Sequence, residues 1–413
     1  MPKDRIVLLD ALRGLAILGI MLCNIPLVDV PERVAESVPF WPLGQAPASV
    51  AVWFVTQVFF QQKFYTLFGM LFGASVLLVG GEGGDRAKTV MITKRLVALL
   101  VIGLVHGRLI WQGDVMSYYA IVGLLVIVVR GWPAWRLLGA GIALHLIDAA
   151  WDAYKLLAHA RHLIKPMDAS LLAKITADTH ADMIRYAAGF VSSLAQNAHQ
   201  NWAFVVGSWS WPPMWPLKVL GLMLMGMGLF KLGVLKGEAS SRTYKVLIAI
   251  GLGAMTLVAL LFGLYVATPG WIGLLVALAS RVQASTAPLV SLGYLGLLAL
   301  AARTRAWSAI PKVLAPVGQM AFTNYLAQSV IMTTIFYGGR GPGLYGKLDR
   351  PALAGIVAVS WLAQILWSHG WLKRFTMGPL EWVWRLAYRG VTPLRRPTPP
   401  STSPAAPPAP GPA

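Results

Sequence analysis

The residues best suited to chemistry gather in one stretch, Gly103–Tyr119, which reads GLVHGRLIWQGDVMSYY. Here His106, Arg108 and Asp114 flank a Trp-Gln-Gly turn between two apolar runs. Imidazole is the side chain that exchanges a proton near neutral pH, so His106 is a candidate general base for a hydroxyl or amine. Asp114 could orient that ring and stabilise its protonated form, while Arg108 and Lys63 could hold an anionic part of a ligand. Plainer readings stand beside these. His106 could be a hydrogen-bonded packing residue, Asp114 could cap the next helix, and Arg108 could snorkel toward lipid headgroups.

Other ionisable or amide residues recur at helical spacing. Asp10 and Arg13 stand three apart, as a self-neutralising pair would. His145 and Asp148 lie one helical turn apart, with Asp152 and Arg281 expected at a similar depth. Asn324 and Gln328 share a face at i,i+4, which suits either interhelical hydrogen bonding or the lining of a substrate path. His159 and His162 lack the further ligands that a metal would need, and no metal site is expected. No HExxH, GxSxG or GxxxxGK[ST] motif occurs.

The elements that must position these groups are membrane helices. Apolar residues make up 57% of the 413 and charged residues 12%, about half the share of a soluble domain. The formal charge of +19 sits in short segments between apolar blocks and not on one basic face, which argues against nucleic acid as a partner. Cys23 is the single cysteine, so no internal disulfide can form. Asp10 and Arg13 interrupt the first apolar run, which therefore reads as a retained helix and not a cleavable leader.

A span needs about 20 mostly apolar residues. This measure predicts an all-α polytopic protein of ten spans, near 6–28, 60–80, 95–112, 114–130, 132–150, 214–235, 244–266, 283–302, 316–338 and 352–370. Residues 45–59 and 269–281 read as interfacial or re-entrant pieces, and 151–213 as a polar insertion on the outer side. Residues 1–390 form one membrane domain, followed by a Pro-rich tail, 391–413, expected to be disordered. With both termini in the cytoplasm, most Lys and Arg fall inside, while Asp29, Glu32, Glu36, Asp148 and Asp152 fall outside. His106 then lies about 18 Å along its helix at 1.5 Å per residue, past mid-membrane. Buried ionisable groups line cavities or pair with each other, so a polar pocket opening outward is expected there.

Four stretches and a closing segment carry a family resemblance: RIVLLDALRGLAILGIMLCNI at 5–25, KFYTLFGMLFG at 63–73, GLVHGRLIWQGDVMSYYAIVGLL at 103–125, GQMAFTNYLAQSVIMTTIFYG at 318–338 and GPLEWVWR at 378–385. On these the chain resembles the YeiB-like family of bacterial inner-membrane proteins, classed as domain of unknown function 418. The likeness runs through nearly everything but the tail. More distantly it is similar to a superfamily of membrane acyltransferases, through helix number, an early Asp-x-x-Arg matched by Asp10 and Arg13, and a membrane-embedded histidine. That kinship implies His106 as catalytic residue, an acyl-CoA-like donor, no tightly bound cofactor, and a glycan, lipid or small metabolite as acceptor. The alternatives are a transporter or lipid-handling protein, with His106, Asp114, Asn324 and Gln328 lining a path, and a non-catalytic scaffold. GPLEWVWR is expected to lie at the inner membrane surface, with Trp382 and Trp384 at the interface and Glu381 pairing with Arg385.

Overall fold

The computed structural model describes residues 6–164, 169–268, 273–391 and 393–395. Among these, every regular element is a helix, apart from an isolated bridge between Phe375 and Arg395. Without water as a partner, a chain crossing a membrane must satisfy its backbone internally, and helices do so locally. The first half comprises α1 (Val7–Asp29), the short α2 (Glu32–Glu36), α3 (Pro47–Val55), α4 (Lys63–Gly80), α5 (Arg86–Leu109), α6 (Met116–Val129) and α7 (Ala134–Ile164). Then come α8 (Ala169–Ala187), α9 (Phe190–Trp209), α10 (Met214–Lys231), α11 (Ser241–Ala267) and α12 (Gly273–Arg303). The last are α13 (Ala309–Gln319), α14 (Ala321–Phe336), α15 (Arg350–Arg374) and α16 (Pro379–Arg389). Side-chain caps open several of them. Asp85 accepts from Lys88 N on α5, Ser240 from Thr243 N on α11, and Asp349 from Ala352 N on α15.

The protein is an all-α, multi-pass membrane protein. Seven helical segments among the described residues are long and apolar enough to cross: α1, α3 through α4, α5, α10, α11, α12 and α15. Leu252, Leu257, Leu260 and Leu264 on α11 and Val359, Leu362 and Leu366 on α15 are exposed. Apolar ridges of that kind belong against lipid and not against water. α1 is the central post, packed on α4, α12, α13, α14 and α15. Its crossing with α13 depends on two glycines. A Cβ on Gly14 would stand 2.1 Å from Leu314 O, and one on Gly318 would stand 1.8 Å from Asp10 O. Only hydrogen fits at such a backbone crossing.

Each of the ten expected spans falls on helix, but several boundaries differ. The expected span 316–338 is broken at Met320 into α13 and α14, with Pro316 just before the break. The 60–80 span starts at Lys63, after Gln62 adopts φ 68°, and residues 45–59 form α3 and a π-helical turn, Thr56–Phe60. From Gly273 onward the supposed re-entrant piece 269–281 is the first part of an unbroken α12, while 269–272 lie outside the described residues. The 132–150 span continues to Ile164 as α7, and α6 has 14 residues. Most of the 151–213 insertion is helical, comprising the end of α7, α8 and α9. The tail beyond 395 and the His162 side chain lie outside the described residues.

Candidate functional site

The α5–α6 hairpin brings His106 and Asp114 together. His106 Nδ1 lies 3.1 Å from Asp114 Oδ1, and each residue is only 1% exposed. Asp114 Oδ1 also accepts from Met116 N at 3.2 Å, and Oδ2 accepts from Ser117 N at 2.9 Å. The carboxylate therefore closes the first turn of α6 and holds the imidazole at once. In the neutral ring this contact puts the proton on Nδ1 and the lone pair on Nε2. Nε2 is buried without a hydrogen-bond partner. Gly103 permits the arrangement: a Cβ there would stand 2.5 Å from Ser117 N and 2.9 Å from Asp114 Oδ2.

The insertion supports this hairpin from outside. Asn197 Nδ2 donates to Gly107 O and Arg108 O, both at 2.9 Å, and Asn201 Nδ2 donates to Gln112 O at 3.0 Å. Tyr186 donates to Gln112 Oε1 at 2.8 Å. Two of these bonds satisfy carbonyls freed where α5 ends, and the other two hold Gln112 in the turn beyond it. Sequence reading gave α9 no such part, because interior-facing asparagines at i,i+4 look like ordinary solvated residues in a polar segment.

A cavity of about 690 Å³ runs beside the dyad. Lining residues on α1 extend from Asp10 to Leu27, roughly 25 Å at 1.5 Å per residue. At the Asp10 end stand Arg13, Arg95, Glu381, Arg385 and Arg389. The middle is apolar, with Ile17, Phe68, Phe72, Leu99, Met116 and Tyr325. The far end carries Glu32, Glu36, Gln61, Gln62, Gln112 and Gln200. The expected pocket opened on one side only, whereas this cavity has polar groups at both ends of α1. His106 and Asp114 stand behind its wall: the His106 ring lies 5.6 Å from that of Tyr325, which faces the cavity.

The carboxylates of α2 line the far end of the cavity, partly enclosed by the residues around them. That enclosure, with Glu32 one turn away, pushes Glu36 up to about 7 against an opposing pull from Arg281. Glu32 is likewise raised by burial.

The remaining expected site residues lie elsewhere. Lys63 is fully buried and donates to Gln57 O at 2.6 Å, so it fastens the break before α4. Arg108 is exposed on α5. Asp10 pairs with Arg13 at 3.0 Å, and both line the cavity. His145 Nε2 contacts Ser285 O at 2.7 Å, Asp148 pairs with Lys218 at 3.6 Å, and Arg281 pairs with Asp152 at 2.8 Å. Those three contacts bind α7 to α10 and α12, away from the dyad. Asn324 donates to Val317 O and Ser368 Oγ and accepts from Trp367, while Gln328 donates to Ile17 O and Gln364. Neither amide lines the cavity. They join α14 to α1, α13 and α15.

The GPLEWVWR segment forms the start of α16, and Glu381 does not pair with Arg385. Its carboxylate reaches across to α14, accepting from Phe322 N at 2.8 Å, Thr323 N at 3.0 Å and the Thr323 hydroxyl. Burial pushes this carboxyl above its ordinary value, and the three donors pull it back. Trp384 donates to Arg95 O at 3.0 Å, with the Arg95 guanidinium 4.5 Å from its ring. These partners lie far away in sequence, so helical spacing alone could not reveal them.

The chain is similar to known proteins along almost its whole length. The family model described as "Protein of unknown function (DUF418)" matches residues 229–390. The uncharacterized protein YeiB of Escherichia coli (strain K12) is 32% identical over 400 residues, covering 92% of this chain and 96% of its own. The uncharacterized protein YxaH of Bacillus subtilis (strain 168) is 28% identical over 422 residues, covering 96% and 98%. No solved structure gives a significant match. With a relative of that identity along almost the whole chain, and a family model matching α16 and the helices before it, the protein belongs to the YeiB-like DUF418 family.

Proposed function

We propose that this protein transfers an acyl group from an acyl-CoA-like thioester to a hydroxyl or amine of an envelope glycan, lipid or small metabolite. The observation that carries the reading is the buried His106–Asp114 pair, its Nε2 unpartnered, beside a cavity with polar groups at both ends. Nε2 takes the acceptor's proton as its oxygen or nitrogen attacks the thioester carbonyl carbon. The tetrahedral adduct collapses by breaking the C–S bond, and the thiolate leaves with the proton from the imidazolium. Asp114 stabilises the imidazolium throughout. Nε2 is buried, so an acceptor reaches it only when a neighbouring side chain moves, and the Tyr325 ring, 5.6 Å from the imidazole and lining the cavity, is our candidate for that motion. The positive-inside distribution supports a reading in which the Arg385 end faces the cytoplasm of a bacterial inner membrane, with both termini on that side. The amides Gln61, Gln62 and Gln200 at the other end are suited to a hydroxyl-bearing acceptor, because each can both donate and accept.

His106→Gln should reduce transfer by about 10²–10⁴-fold, the usual cost of a lost general base, while the protein still inserts and elutes as a single species. The measurement is mass spectrometry of envelope glycans, lipids and metabolites from deletion strains complemented with each variant. Full activity in a well-folded His106→Gln protein would return this residue to a packing role. The length of the cavity also supports a second reading, movement of an unaltered solute. In that case the complemented strain would show restored uptake or export with no change in any acylated product.

A further inference from the structure

We propose that Arg13, Arg95, Arg385 and Arg389 form a binding site for a phosphate-bearing head group at the α16 end of the cavity. All four line it. They come from α1, α5 and α16, and Arg13, Arg385 and Arg389 all lie close enough to act electrostatically on Arg95. Like charges gathered this way raise the free energy of the folded protein unless an anion joins them.

The carboxylates nearby offset only part of the cluster's charge, at Arg13. Asp10 is bound to Arg13, and Glu381 is committed to three donors at the start of α14. Among the described residues Arg95, Arg385 and Arg389 have no carboxylate partner, and Arg389 Nε makes only a 3.3 Å contact with Met91 Sδ. Arg95 is further fixed by its stacking on Trp384. Guanidinium is the group that suits phosphate, because its planar fork donates two parallel hydrogen bonds.

The rest of the cavity says what kind of molecule carries the head. Beyond the arginines the lining becomes apolar at Ile17, Phe68, Phe72 and Leu99. A charged head would stop at the mouth, and an extended, uncharged arm would enter. Two sources share this chemistry: a soluble phosphorylated carrier such as coenzyme A, and an anionic phospholipid. The choice of coenzyme A as first probe rests on the acyl-transfer reading; the phosphate site itself does not.

The test uses the full chain in phosphatidylcholine nanodiscs, titrated calorimetrically with coenzyme A, 3′,5′-ADP and pantetheine. A parallel set in phosphatidylglycerol is examined by native mass spectrometry for retained lipid. Coenzyme A and 3′,5′-ADP should bind and pantetheine should not, if the source is soluble. Selective retention of phosphatidylglycerol with no nucleotide binding would support the same site with a lipid occupant. In either case the Arg385→Gln/Arg389→Gln protein should bind about 100-fold more weakly, about tenfold for each lost charged contact. The Arg385→Lys/Arg389→Lys protein controls for folding and should recover part of the affinity. Wild-type affinity in the double Gln variant, or no phosphate-bearing ligand held by the wild type, would overturn the proposal. His106→Gln should bind as the wild type does, so retained binding without acyl transfer would defeat the functional reading alone.

Discussion

Glu381→Ala offers a sharp test of how the chain closes around its cavity. In the wild type one carboxylate serves Phe322 N, Thr323 N and the Thr323 hydroxyl, all in the first turn of α14. These donors exist because the chain breaks at Met320 and a new helix begins without its own side-chain cap. Each buried donor left without an acceptor costs about 1–3 kcal/mol. The threonine hydroxyl can rotate to another acceptor, and cavity water can reach part of the site, so the expected total is about 2–4 kcal/mol. Glu381→Gln keeps one carbonyl oxygen but loses the charge, and should cost about 1–2 kcal/mol. Multi-pass proteins tend to unfold irreversibly, so the assay is the fraction recovered by fluorescence-detected size exclusion after heating detergent-extracted protein. The order should be wild type, then Gln, then Ala. A Glu381→Ala protein as heat-resistant as wild type would refute the idea that α16 closes α14 in this way.

Three further outcomes follow from particular contacts. Gly103→Ala should cost about 1–3 kcal/mol, since its Cβ would collide with Ser117 N and Asp114 Oδ2, and any activity should fall along with recovery; an unimpaired variant would mean the hairpin can open freely. Asn324→Ala should lower thermal recovery by only about 0.6–1.7 kcal/mol, as membrane interhelical hydrogen bonds do, and leave substrate affinity unchanged; a raised KM at wild-type stability would put the amide on a substrate path after all. Glu36 is raised to about 7 in the folded protein, so between its ordinary value and 7 the folded state holds the extra proton and stability falls as pH rises. Glu36→Gln should therefore be the more heat-resistant protein at pH 8 and match wild type at pH 4, and equal recovery at pH 8 would contradict the shift.

What could be read beforehand follows from the range of each interaction. Helix positions depend on runs of apolar residues, so Leu8–Ile25 or Leu247–Leu264 announce themselves from local sequence alone. The His106–Asp114 contact was legible for a similar reason, because only eight residues and one turn separate them. Breaks within helices were harder. Met320 interrupts a run that hydropathy reads as one span, and what permits the break is a distant partner, Glu381. Near Gln62 the polar Gln61-Gln62-Lys63 already separates 45–59 from 60–80, and the Lys63–Gln57 and Ser291–Lys63 contacts fix the break there. The arginine cluster was hidden for the same cause. Arg13, Arg95, Arg385 and Arg389 come from three helices spread along the chain, and each reads singly as a positive-inside residue.

The chemistry of the cavity's middle bears on which functional reading is preferable. A solute that crosses unchanged must carry all its polar groups past Ile17, Phe68, Phe72 and Leu99, where Tyr119 and Tyr325 each offer a single hydroxyl and Tyr65 and Asn24 are bonded to each other. Stripping a charged or polyhydroxylated molecule of water there would be costly. Group transfer makes a smaller demand. A phosphate head can stay among the arginines while only an apolar arm and its thioester go deeper. An acceptor can wait among the amides at the other end, and the sole fragment to change partners is a small, uncharged acyl group. His106 sits beside that apolar stretch, behind Tyr325, where such a fragment would be handed over. On the acyl-transfer reading, the separation of the dyad from the open cavity would hold the general base away from the thioester until Tyr325 moves. Tyr325→Ala tests this directly: it should raise thioester hydrolysis in the absence of acceptor while Tyr325→Phe does not. Equal hydrolysis by both variants and the wild type would leave the ring as packing only.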